Sequence, residues 1–68
     1  MDKERAGKVI RDARLCLGLT QCQLAALLNV KQATVATWEL GTTFPKPKNM
    51  IKVCEILRIP VEKLLKAG

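Results

Sequence analysis

Residues 19–41, LTQCQLAALLNVKQATVATWELG, constrain the fold of this 68-residue chain more than any other stretch. They read as two helices joined by a turn too short for anything but a sharp corner. Thr20 carries a hydroxyl that accepts from the free N–H groups at a helix start, and Gln21 follows it. Leu24, Ala25 and Leu28 then form an inward stripe on a short helix. Asn29 interrupts the stripe where the chain must turn; after Gly, Asn best tolerates the left-handed conformation that ends a helix. A second helix starts near Lys31 or Gln32, buries Val35 and Trp38, and stops at Gly41. The pattern is a helix-turn-helix over about residues 20–41.

The flanks carry the same helical period. A first helix is expected over about residues 3–17, with Ala6, Ile10, Ala13 and Leu17 facing the core and Gly18 ending it. After Gly41 comes TTFPKPK, a turn-rich connection in which Pro47 suits the first position of another helix, where its missing N–H is harmless. That helix turns Met50, Val53 and Leu57 inward, with Cys54 beside them, and ends before Pro60. A fifth, short helix over 61–66 points Leu64 and Val61 at the core. No segment reads as a strand. The expected fold is all-α, five short helices in one domain over residues 1–68.

Composition narrows the function. Three cysteines (Cys16, Cys22, Cys54) and no histidine argue against a disulfide framework and a zinc site; reduced thiols acting as small apolar residues are the plain reading, a redox-sensing thiol the sharper one. Glu39 is the one acid between Asp12 and Glu55, so an enzyme site is hard to assemble; no catalysis, metal, cofactor or small-molecule substrate is expected. No apolar run approaches the ~20 residues of a membrane span, and the charged opening residues do not suit a secretory signal. A cytoplasmic protein is expected. Charge points to a partner: twelve Lys and Arg against six Asp and Glu give +6, with no carboxylate in residues 13–38 or 40–54. A surface of one sign with acids excluded suits a polyanion, although such patches on small basic proteins often do no more than solvate the fold. The second helix of a helix-turn-helix commonly lies in the major groove of DNA.

The chain resembles the Cro/repressor-type, or XRE-like, helix-turn-helix family of phage and bacterial regulators over nearly its whole length. Gly7, Ile10, Arg11 and Arg14 match the family's first helix. Gly18, Leu19, Thr20, Gln21, Leu24 and Ala25 match its G-[LMW]-[ST]-Q-x-x-[LV]-A segment. Glu39 and Gly41 match the E-x-G that closes the motif, and Pro45, Met50, Val53, Leu57 and Ile59 match the segment beyond it. The resemblance implies a compact lambda-repressor-like DNA-binding domain, with Arg14 and Glu39 as a structural ion pair between the first helix and the end of the recognition helix. Ala25 has its own physical reason to be small, a close crossing of the two helices. Three departures stand out. Asn29 replaces the usual turn Gly; Lys31 replaces a Ser or Thr cap; and Ala33 and Ala36 stand where base-reading polar residues are common. Trp38 falls inward by its spacing, in core rather than stacked on DNA.

Carried over position by position, the resemblance puts Lys31, Gln32, Ala33 and Thr37 against the bases. Gln32 suits adenine N6 and N7, Ala33 offers only a methyl, and Thr37 a methyl or a hydroxyl. Thr20, Gln21, Thr34, Thr42, Thr43, Lys46 and Lys48 fall where phosphates are held, Gln21 with help from the helix dipole. For each lysine, a merely solvated charge is the bland alternative. A homodimer on a two-fold site is implied, self-contacting through Arg58, Ile59, Val61 and Leu65, with Leu15, Leu27 and Leu40 as a competing patch. The expectation is a small transcriptional repressor of double-stranded DNA, nucleoid-associated. The alternative is a protein-interaction module of the same fold, such as an antitoxin.

Overall fold

The computed structural model describes residues 2–66. It contains five helices and, among the described residues, no strand: α1 (Lys3–Cys16), α2 (Gln21–Leu28), α3 (Gln32–Leu40), α4 (Pro47–Leu57) and α5 (Val61–Lys66). Each boundary has a local cause. Asp2 opens α1 by accepting from the backbone N–H of Glu4 (3.0 Å) and Arg5 (3.2 Å). Thr20 opens α2 with a reciprocal capping box: the Gln23 N–H donates to the Thr20 hydroxyl at 3.0 Å, and the Thr20 N–H donates to the Gln23 side chain at 2.8 Å. Asn29 ends α2 at φ 57°, Gly41 ends α3 at φ 81°, and Pro47 begins α4.

The apolar stripes of all five helices meet in one core. Ile10, Leu24, Val35, Val53 and Leu64 are fully enclosed, with Leu28, Trp38, Cys54 and Leu57 around them. Trp38 is 4% exposed, so its ring is core and unavailable for stacking on a base. The tightest crossing joins α1 to the end of α3 at Gly7. A Cβ there would overlap the Trp38 carbonyl oxygen and lie 2.8 Å from that of Glu39, so only glycine permits the approach. Ala25, 3% exposed, is buried as a small residue should be at a helix contact.

Two expectations are corrected, the inward placements of Leu17 and Val61, and the structure adds detail at Arg58 and Ile59. Helix α1 ends at Cys16; Leu17 caps it and is 44% exposed, because the helical period that would turn it inward stops one residue before it. Arg58 ends α4 in the left-handed region at φ 58°, where glycine or asparagine would be the usual residue. Val61 is exposed, and Leu64 alone carries α5 into the core. Ile59, expected at a self-contact, is 8% exposed: its N–H donates to the Cys54 carbonyl (3.0 Å), which folds the side chain under α4. No helix among the described residues is long and apolar enough to cross a membrane.

Candidate nucleic-acid interface

Helix α3 is anchored by its inner face and presents its outer face to solvent. Val35 and Trp38 point inward; Lys31, Gln32, Ala33 and Leu40 are exposed; Thr34, Ala36 and Thr37 are half-buried. Lys31 occupies the N-cap without any side-chain cap bond; its carbonyl takes the Thr34 N–H at 3.0 Å, and no side chain caps the N–H groups of Gln32 and Ala33 before it.

Four side chains join the core of the motif to this surface. The Arg14 guanidinium donates to both oxygens of Glu39, Nε to Oε2 at 2.7 Å and Nη2 to Oε1 at 2.9 Å, and its Nη1 donates to the Leu19 carbonyl at 2.7 Å. The pair is 9% and 4% exposed, and both groups are satisfied. Burial pushes the Glu39 carboxyl up, but hydrogen bonds from Arg14 and Gln21 and the charges of Arg14 and Arg11 outweigh it, and it is held below the ordinary carboxylate range. The hydrogen bond to Glu39 in turn raises Arg14. Gln21 Nε2 donates to Glu39 Oε1 at 3.0 Å, and Gln32 Nε2 donates to Gln21 Oε1 at 2.7 Å.

The direction of this relay follows from the carboxylate. An ionised Glu39 can only accept, so Gln21 must turn its NH2 inward and its carbonyl toward Gln32. Gln32 must then turn its own NH2 back to Gln21. The second Nε2 hydrogen and the Oε1 of Gln32 remain for a ligand, which is the donor–acceptor pair that adenine N7 and N6 complement.

On the other side of α3 the hydroxyls are committed. Thr37 Oγ1 donates to the Thr34 carbonyl at 2.7 Å, so its 3.0 Å contact with Thr43 Oγ1 has Thr43 as donor. The N–H groups of Thr42 (3.0 Å) and Thr43 (3.4 Å) both donate back to the Thr37 carbonyl. Thr42 is left with its hydroxyl for an outside partner. Lys31, Thr34, Thr37, Thr43 and Lys46 line one recess beside α3, together with Asn49. Thr20, Thr42 and Lys48 are exposed outside it, the Thr20 oxygen serving the α2 cap.

Asn49 carries no expectation from the sequence, and Arg11 none beyond its match to the family's first helix. Asn49 enters because α4 starts at Pro47 and swings its first turn against the recess; the signal was a polar residue in a helix's first turn. Arg11 lines a second groove with Ala36 and Leu40, one turn before Arg14 on α1. The start of α3 is kept clear of acids: Asp2 and Asp12 lie at or on α1, Glu55 on α4 and Glu62 on α5, Glu39 is buried in its ion pair, and Glu4 packs against Gly41 at the far end of α3. Arg58, Val61 and Leu65 lie exposed at the α4–α5 corner. Cys54 is buried, and burial followed by the nearby Glu62 charge pushes its thiol up; Cys16 and Cys22 are exposed and free.

A family model described as helix-turn-helix matches residues 10–64, well over half of the chain. The comparison with curated proteins gives no match.

Proposed function

Since the chain belongs to the Cro/repressor-type helix-turn-helix family, whose members are DNA-binding transcription regulators, we propose that it is a repressor that binds a palindromic operator as a homodimer. The observation that carries this reading is the Arg14–Glu39–Gln21–Gln32 relay, which delivers an oriented amide to the exposed start of α3. Helix α3 enters the major groove with Gln32 on adenine, Ala33 and Thr37 on neighbouring bases, and Lys31 reaching a phosphate or a guanine edge.

Phosphates flank that helix on both sides. Gln21 and Thr20 meet one strand at the start of α2, where the helix dipole favours an anion. Thr34, Thr42, Thr43, Lys46 and Lys48 meet the other, and Asn49 joins them at the start of α4. Thr43 must release Thr37 to donate to a phosphate, so Thr42 is the readier hydroxyl. A self-contact at Arg58, Val61 and Leu65 pairs two copies, with Ile59 supporting it from the core. The whole described chain then acts as one domain in the cytoplasm, on the nucleoid, without catalysis or cofactor.

Selection from a randomised duplex pool tests this. The expected product is a palindrome with half-sites about one helical turn apart, bound with affinity that falls steeply as salt rises. No enrichment at any salt would overturn the proposal in favour of a protein-interaction module.

A further inference from the structure

The outward face of α3 has a chemistry of its own. Ala33, Ala36, Thr37 and Leu40 recur at i, i+3, i+4 and i+7, the spacing that normally marks a core stripe, yet this stripe faces away from Val35 and Trp38. Leu40, at 75%, is the most exposed large hydrophobic side chain among the described residues. Thr37 belongs to the stripe because its hydroxyl proton is committed to the Thr34 carbonyl, which leaves its methyl and no donor for a partner. The stripe's surroundings are cationic: Arg11 lines the same groove as Ala36 and Leu40, and Lys31 precedes it. The sole carboxylate on α3, Glu39, is turned into its ion pair with Arg14.

We infer that this stripe reads the C5-methyl groups of thymines, so that the preferred half-site is an adenine under Gln32 followed by thymines along the path of α3. The inference rests on the DNA-binding reading above and names the chemistry of its specificity. Charge complementarity selects the occupant: an apolar ridge with Arg11 along it and Lys31 at its start, and with Glu4 as the acid at its far end beside Gly41, fits a polyanion that displays apolar groups. In the major groove the one apolar group on display is the thymine methyl. From Ala33 to Leu40 the helix advances about 10.5 Å, roughly three base-pair steps, which bounds the number of methyls it can meet. Leu40, Ala36 and Ala33 have no polar atom with which to discriminate otherwise.

The duplex enriched from a random pool, synthesised with either thymine or uracil, provides the test. Uracil removes the methyl and leaves every hydrogen-bonding edge intact. Wild-type protein is expected to lose about four-fold in affinity for each contacted methyl removed. Leu40→Ser, a change at an exposed position, should abolish the loss at the position Leu40 meets while the losses elsewhere persist. Equal affinity for the two duplexes, or an enriched half-site without thymine, overturns the inference and leaves DNA binding standing. Uracil losses of the same size in Leu40→Ser overturn it as well, because they would report duplex shape and not contact. A pool with no enriched sequence overturns both readings.

Discussion

Helices α2 and α3 are neighbours of almost equal length, and they are held in opposite ways. Helix α2 is closed by its own residues: Thr20 and Gln23 box its start, and Asn29 turns its end. Helix α3 has no side-chain cap at its start and is held by others, through Gly7 of α1 beneath its last turn and the Arg14–Glu39 pair. Local chemistry stabilises α2, while long-range contacts fix α3 and leave its start without a side-chain cap. A surface that must meet a ligand keeps its polar groups available only if something remote does the holding.

Removing the remote hold should have the largest effect. Arg14→Ala leaves Glu39 buried without its cation and is expected to destabilise the fold by ~3–5 kcal/mol in denaturant titration. The same pair sets the acid limit. Glu39 is depressed in the folded state, so its contribution is complete above the ordinary carboxylate value of about 4.3. That contribution is lost as pH falls through the lower folded value. Melting temperature followed from pH 7 to pH 2 should therefore drop at the acid end in the wild type, and Glu39→Gln should flatten that part of the drop while starting lower.

Gly7→Ala comes next, at roughly 1–3 kcal/mol, because the added methyl meets rigid backbone carbonyls of α3 that cannot rotate aside. Thr20→Ala should cost about 1 kcal/mol, the ordinary value of one N-cap, and should leave the α3 surface unchanged. If Thr20→Ala proved as damaging as Arg14→Ala, the contrast between a self-closed α2 and an externally held α3 would be lost.

The difference between the two helices also explains what could be read from the chain. Thr20, Asn29, Gly41 and Pro47 act on their own neighbours, so their effects are written locally and the boundaries follow from residue type. Gly7 makes its contact across more than thirty residues, and nothing around it reveals that a carbonyl of α3 lies where its Cβ would be. Gln21 and Gln32 meet across eleven residues, so each is legible as a polar group, but the direction of their shared hydrogen bond depends on Glu39. Thr37 reads equally well as methyl or hydroxyl until the Thr34 carbonyl is seen to take its proton. Leu17 was misplaced for a related reason. Helical spacing predicts a face only while the helix lasts, and Leu17 lies just beyond the end of α1.

Lys31 makes the smallest prediction and the most discriminating one. It sits at the N-cap of α3, where a Thr hydroxyl would accept from a backbone N–H two or three residues on, that of Ala33 or, shared with the residue 31 carbonyl, that of Thr34. Lys31→Thr should therefore raise stability by up to ~1 kcal/mol, making α3 resemble α2 in how it is closed. The same change removes a cation beside the uncapped helix start. Binding to duplex DNA should weaken by a similar factor on enriched and random sequences, and the salt slope should decrease by about one, if Lys31 meets a phosphate. A loss confined to one base pair would instead assign it to a guanine edge. A variant that is both more stable and equally tight in binding would mean that the missing cap serves no contact with DNA, and the open start of α3 would need another reason.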